Sequence, residues 1–429
     1  MRLVIIANTH HIEPFNEPAS KLRVLNKTLA QWQTDLLGPL IQGSTTVPDF
    51  DSIPSSGGEL LVVADNLWFD GAFLTQFVDQ ARKLGKPAQA AFQPDDPAFL
   101  QLGLDRLTQS YEQRSDLYYV PLWYFPDEAT RRVDPIIISS GARSIKQRYR
   151  PDGADGTASE LIWRLPQRAV CAVDTWIHLF FINIVFGVYS RAAQFERRMT
   201  SRGFRTRARW RSMIERKPPT ATSVYVRAGK NCTVDPNTVF RGPVYLGDNV
   251  TIGPGCVVSQ SIIGNNVTLA QGNHVHLSVI DDDCYFPWQA NAILSAFMTG
   301  STGAQNSSIA MSVVGRDTTL GAGVIFTDTN QLPRPLQATL NYQSVDLALP
   351  MLGACVGHNC RIGAGLIVYP ALSIESDVVL MPSSNRRVIM HNISYEESDH
   401  HALPDIADLH PRRYPRDYEQ DQRTLESQW

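Results

Sequence analysis

Three kinds of side chain in this sequence could do chemistry. Asp65 ends the apolar run Leu60 to Ala64 (LLVVA), and Asp174 lies in AVDTWIH; carboxylates suit a hard divalent cation such as Mg2+. Lys21 and Arg23, in ASKLRVL, are cations of the sort that neutralise phosphate, and they read equally as a solvated helix face. Imidazoles are the third kind. His10 and His11 follow the first apolar run, as candidates for phosphate contact or as simply exposed loop residues. His358, in VGHNC, has the pKa range that a general base needs, although its turn position reads more readily as surface.

The elements that must position these groups are legible in part. Arg2 to Asn8 (RLVIIAN) and Leu60 to Ala64 read as buried strands, with helical stretches over Leu22 to Leu37 and Phe73 to Leu84, the second closed by Gly85. Strand, helix, strand, helix predicts a parallel α/β sheet, and such sheets bind ligands at the carboxyl ends of their strands. Asp65 stands at such an end, where an ordinary helix cap is the alternative.

From Val234 to Val258 the chain reads VDPNTV FRGPVY LGDNVT IGPGCV V. An aliphatic or aromatic residue returns every sixth position: Val234, Phe240, Leu246, Ile252 and Val258 share one register, and Thr238, Val244, Val250 and Cys256 a second. After a one-residue slip at Ile262 the period resumes as IGNNVT LAQGNH, then later as VGRDTT LGAGVI and VGHNCR IGAGLI VYPALS IESDVV. A period this short predicts a solenoid of short strands and tight corners, in which no turn of the coil buries its apolar face until neighbours stack on it.

The 429 residues allow two domains, and 43% hydrophobic with 19% charged is ordinary for a soluble protein. A net charge of -3 argues against nucleic acid as the main partner. The start, MRLVIIANTHHIEP, has no secretory pattern, so a cytoplasmic protein is expected. Cys232, Cys256, Cys284 and Cys360 each fall four positions after Ala228, Ile252, Ile280 and Val356, where a coil wants a small buried side chain, and no CxxC pair exists.

The repeats resemble the left-handed parallel β-helix of the hexapeptide acyltransferases over Ser223 to Met381, which implies a prism that packs as a homotrimer. The amino-terminal stretch is similar to the nucleotidyltransferase half of bacterial N-acetylglucosamine-1-phosphate uridyltransferases, and more closely to the divergent sugar-nucleotidyltransferase-like proteins of the same two-domain layout. EPFNEPASKLRVLNKTLAQW, Glu13 to Trp32, and the VVADN that ends the second strand carry that likeness, which covers Met1 to about Ala91 and reaches Pro166 in outline. The resemblance implies a Rossmann-like nucleotidyltransferase α/β domain over 1–168, a connector helix over 169–220, a β-helix over 221–390 with a loop insertion at 328–350, and a polar tail over 391–429. It implies that a sugar 1-phosphate attacks the α-phosphorus of a nucleoside triphosphate and displaces pyrophosphate, with Lys21 and Arg23 neutralising phosphate and Asp65 and Asp174 holding Mg2+. The setting would be the supply of activated sugars for envelope polysaccharide. The family's Gly-rich loop has no counterpart here. Asn8, Thr9, His10, His11 and Ile12 occupy its place, and their side chains would obstruct close approach of phosphates to backbone N–H groups.

Trp176 to Tyr189 (WIHLFFINIVFGVY) is the most apolar run, short of the roughly 20 residues that span a bilayer. Ten Arg or Lys follow between Arg191 and Lys217, against Glu196 and Glu215. Apolar then cationic helix reads either as an interdomain helix or as a peripheral anchor over 176–217 at the inner membrane face. The prism itself has three readings. Acyl transfer from acyl-CoA would need a base; there is no His between Leu277 and Gly357, which leaves His358. LAQGNHVHLS resembles part of the γ-class carbonic anhydrase pattern, with His276 matching one zinc ligand and Gln271 in the place of another. The third reading is a non-catalytic trimeric scaffold. The Pro-containing insertion reads as a loop that reaches a neighbour or roofs a cleft, and the tail, with His400, His401 and HPRRYPRDYEQDQR, as a poorly ordered or extended arm.

Overall fold

The computed structural model describes residues 1–54, 57–101, 107–148, 160–199, 201–216, 222–330, 336–340, 343–347, 349–403, 409–417 and 422. Lys217, parts of the insertion (331–335, 341–342 and 348) and parts of the tail (404–408, 418–421 and 423–429) lie outside them. Two compact units divide the chain: Met1–Ile12 with Glu17–His178, and Glu13–Asn16 with Leu179–Trp429.

The first unit is α/β. Strand β1 (Arg2–Ile6) lies between β2 (Ser44–Val47) and β3 (Leu60–Ala64), parallel to both. Beyond β3 come β4 (Ala88–Phe92), β5 (Leu117–Phe125) and β6 (Asp134–Ile137), in the sheet order β6-β4-β5-β3-β1-β2. The sheet is mixed, because β5 runs antiparallel between β3 and β4. Between β1 and β3 the chain visits one side of β1 as β2 and returns on the other as β3. That reversal makes the carboxyl ends of β1 and β3 a topological switch point, where open α/β sheets place ligands.

Helix α1 (Leu29–Leu37) is shorter than the expected Leu22 to Leu37. Arg23–Val24 and Lys27–Thr28 instead pair as a hairpin through Leu25 and Asn26, both at positive φ (50° and 67°). The helix starts only where Thr28 and Gln31 form a reciprocal capping box, at 3.1 Å each way. Helix α2 (Gly71–Leu84) is capped by Asp70 and closed by Gly85 at φ 61°, a left-handed turn that glycine takes without steric cost.

The second unit is a left-handed parallel β-helix of three faces. The first face stacks eight strands, from Val226–Ala228 to Ser373–Ile374, and the third stacks eight, from Val239–Arg241 to Val388–Ile389. The second runs from Thr233–Val234 to Val379–Leu380, broken where Thr302 contributes only single bridges. Leu246, Ile263, Ile280, Phe297, Val314, Val356 and Ile374 stack inward in register, with Cys256, Cys284 and Cys360 in the same core.

The slip at Ile262 is the first of a series. Tyr245 pairs with Ile262, Ile262 with Val279, Val279 with Ala296 and Ala296 with Val313, each one residue short of three hexapeptides. The missing residue is lost at the corner between the third and first faces, where Gln260, Leu277, Leu294 and Met311 take φ of 47–50°. Such φ is disfavoured for residues with a Cβ. A buried serine follows each one. The Ser278, Ser295 and Ser312 amides donate to the hydroxyls of Ser261, Ser278 and Ser295 at 3.1–3.2 Å, and Ala354 N–H closes the ladder on Ser312 Oγ at 3.0 Å. The insertion leaves the coil at this corner. It is a hairpin of Gln337–Leu340 with Gln343–Asp346, closed at its base by a Thr329–Met351 bridge.

The helical run from Trp176 is buried throughout as far as Val188. Over Phe181–Tyr189 it is wound as a π-helix, and it packs on the first face at the strand Val279–Ile280. Helices α3 (Ser190–Met199) and α4 (Arg202–Glu215) follow. The described part of the tail is not a loose arm. Asp377 accepts the N–H groups of Arg413 and Tyr414 at 2.8 and 2.7 Å, and Glu375 pairs with Arg416 and Arg412. Both carboxylates are buried on the last coils, and burial without such partners would be costly.

Candidate functional site

The site is built from the ends of β1 and β3. Asp65 follows β3, and its own N–H donates to Ile6 O at 3.0 Å, which fixes it beside the end of β1. The Asn8 N–H donates to Asp65 Oδ1 at 2.9 Å, and the Ser20 hydroxyl also reaches this carboxylate. Burial raises the Asp65 pKa, while these two donors favour the charged form and offset part of that rise. Asn8 Oδ1 accepts the His10 N–H at 3.0 Å, a tight turn standing where a glycine-rich loop would lie.

Lys21, next to Ser20, is exposed. Arg23 is half-buried and donates from Nη2 to Asn26 O at 3.0 Å, so part of its guanidinium holds the hairpin together. His10 is half-buried, and His11 is paired in a short ladder, His11–Ile12 with Glu17–Pro18. The structure therefore brings Asn8, Ser20 and Asp65 into direct contact, with Lys21 adjacent in the chain.

Asp174 has a different occupation. Its Oδ1 accepts from the Asn66 amide at 3.1 Å and the Ser110 hydroxyl, and its Oδ2 from the Gln109 and Ser110 N–H groups at 2.8 and 3.0 Å. Four donors on a buried carboxylate make a clasp between segments and leave few lone pairs for a cation. His178 backs the clasp. Its Nδ1 accepts from the Asp174 and Thr175 N–H groups at 3.2 and 3.1 Å, and burial holds its pKa down to about 4 despite the neighbouring Asp174.

His358 is fully buried, not at the surface. Its Nδ1 accepts the Arg316 N–H at 2.8 Å, and its ring lies between Phe15 and Tyr414, with centroids 4.9 and 4.8 Å away. An acyl acceptor does not reach it in this conformation. His274 and His276 project outward from one strand, 6.4 Å apart. Among the described residues no group of three or more His, Cys, Asp or Glu is arranged to hold a metal.

Several neighbours of Asp65 are not legible as such in the sequence. Gln33 is buried on the apolar stripe Leu29, Gln33, Leu37, and its amide donates to Ala64 O at 3.0 Å and Leu67 O at 2.7 Å. It therefore fixes the backbone on either side of Asp65. A lone amide on an apolar helix stripe was the available signal. Ser20 and Asn8 had none, since each acts through a contact set by the fold.

Residues 229–260 match the bacterial transferase hexapeptide family (six repeats). The chain is 32% identical over 210 residues to the bifunctional protein GlmU of Baumannia cicadellinicola, covering 40% of this chain and 42% of that one. It is 28% identical over 184 residues to the GlmU of a Geobacillus species, 37% of each chain. The matches thus span well under two thirds of these curated relatives. A solved mutant of perosamine N-acetyltransferase from Caulobacter crescentus, in complex with CoA and GDP-perosamine, aligns at 18% identity over 35% of this chain and 53% of that one, with a TM-score of 0.16. The chain thus carries transferase-type hexapeptide repeats and is similar over part of its length to bifunctional GlmU proteins.

Proposed function

We propose that the first unit binds a nucleoside triphosphate and a sugar 1-phosphate at the β1/β3 switch point and joins them as a sugar-1-phosphate nucleotidyltransferase. One observation carries this reading: Asp65 is fixed at that switch point by Asn8 and Ser20, with Lys21 beside it. The likeness to GlmU proteins supports the same class. A sugar-phosphate oxygen attacks the α-phosphorus, the bond to the β-phosphate breaks, and pyrophosphate leaves; no nucleophilic side chain is required. Lys21 and Arg23 would balance phosphate charge. Mg2+ would be held by Asp65, since a single carboxylate with phosphate and water ligands suffices for this ion. The coil would trimerise, and a cytoplasmic setting suits a chain whose six cysteines are unpaired.

A second reading rests on the Asn8 N–H, which is engaged by Asp65 and not offered to a phosphate. On that reading the same edge binds a nucleotide sugar without transfer. Acyl transfer from acyl-CoA through His358 is disfavoured by the burial of that ring. The test is pyrophosphate release by purified protein with Mg2+ and a panel of nucleoside triphosphates and sugar 1-phosphates, beside Asp65→Ala. Release abolished by the substitution supports transfer. No release, with nucleotide-sugar binding lost in Asp65→Ala, supports the second reading, and neither activity overturns both.

A further inference from the structure

The cationic half of the connector has a surface that the proposed transfer does not use. In α4 the back of the helix is packed: Ala208 is buried, and Phe204 meets Phe195 and Tyr225 at ring distances of 5.4 and 5.5 Å. Glu215, its one acidic residue, accepts the Ser223 N–H at 2.9 Å and pairs with Arg211 at 3.8 Å, which leaves the other arginines of the helix without an acidic partner on it. The opposite side carries Trp210, Met213 and Ile214, which are 69%, 71% and 65% exposed. Their i, i+3, i+4 spacing places them on one strip. By the same spacing Arg207 and Arg211 flank that strip on one side and Arg202, Arg205 and Arg209 on the other, all exposed, and exposed Arg216 follows as the left-handed cap of the helix.

An outward apolar strip between two rows of arginine is the pattern of a helix lying in a membrane interface, apolar residues among acyl chains and cations against headgroup phosphates. We propose that α4 is a peripheral docking surface for an anionic phospholipid bilayer. The buried Trp176–Val188 run plays no part in it; although the Trp176–Ala193 stretch is apolar enough to cross a membrane, 83% of it is buried. A second copy is the poorer occupant, because symmetric pairing would bring two arginine-bordered strips together. Nucleic acid or an acidic protein would match the arginines and leave Trp210, Met213 and Ile214 without a role.

The test is sedimentation of the full chain with phosphatidylcholine vesicles, with and without phosphatidylglycerol, at low and high salt. Binding to anionic vesicles, weakened by salt, is expected. It should fall at least ten-fold in Trp210→Ser/Ile214→Ser and likewise in Arg205→Glu/Arg209→Glu. Both double variants change exposed side chains only, and circular dichroism at wild-type values confirms their fold. Three outcomes overturn the proposal: no vesicle binding by the wild type, binding that the Trp210→Ser/Ile214→Ser variant retains in full, or a fall in oligomeric mass in that variant, which would make the strip a contact between copies.

Discussion

The coil and the switch-point edge solve opposite problems with the same polar groups. In the coil, polar side chains repeat: Ser261, Ser278, Ser295 and Ser312 each do one job at one corner, and Asn231, Asn249, Asn266 and Asp283 do another along a second edge at 2.9–3.2 Å. Equivalent neighbours share the work, so each polar group there has a structural partner of the same kind one coil away. At the end of β3 nothing repeats. Asp65, Asn8, Ser20 and Gln33 come from four different segments, and each makes a contact of its own around Asp65. The repeated contacts hold the coil together, whereas the irregular meeting of segments at Asp65 is where the proposed ligand site lies.

That contrast can be broken most directly at Asp65. Asp65→Ala should reduce pyrophosphate release, or nucleotide-sugar binding if there is no turnover, by about 100-fold, the scale on which loss of one preorganised electrostatic group is felt. Asp65→Asn keeps the shape and an acceptor for Asn8, so it should restore thermal stability to near wild type without restoring activity. If it restores activity, the carboxylate has no charge-dependent role. At Asp174 the expectation reverses. Asp174→Ala leaves donors from Asn66, Gln109 and Ser110 unsatisfied and should cost about 3 kcal/mol. That corresponds to a fall of about 10 °C in Tm for a unit of this size. A loss of activity with an unchanged melting curve would instead make Asp174 a functional carboxylate.

The coil should respond more gently. Ser295→Ala removes the acceptor for Ser312 N–H and a donor to Ile293 O, at a cost of about 1–2 kcal/mol. Ala354 already ends the ladder in place of a serine, so Ser312→Ala, at the last rung, should cost no more than Ser295→Ala in denaturant titration. A larger loss at Ser312 would mean that the ladder is not built of equivalent rungs.

Much of this contrast could be read from the chain itself. The six-residue period placed Leu246, Ile252, Cys256 and Val258 inside because inward positions of a coil tolerate few residue types. The 17-residue spacing was also written there, as QS, LS, LS and MS at 260, 277, 294 and 311. It is hard to read because Leu and Met do not announce a corner as Gly or Asn does. The hairpin ahead of α1 was hidden for the same reason: Leu25 holds a positive φ that turn rules reserve for Asn or Gly. Asp65 was legible because it ends an apolar run, whereas Ser20 and Gln33 bear on it only through the fold. The true setting of His358 was illegible too, since Phe15 and Tyr414 lie far from it in sequence.

The last expected effect concerns pH. His178 is buried, and its pKa is held near 4, below the ordinary value of 6.5. Between those two values the unfolded chain binds a proton at this residue that the folded chain does not. Stability is therefore lost as pH falls from about 6.5 towards 4, and this residue contributes no slope above that window. His178→Gln should remove about one proton from the acid-side uptake on unfolding, making the denaturant midpoint less sensitive to pH between 7 and 5 even if the variant is weaker at pH 7. An unchanged pH slope would mean that the ring is protonated in the folded state. The Asp174 and Thr175 N–H groups, both pointing at Nδ1, would then have to point at a donor instead of an acceptor.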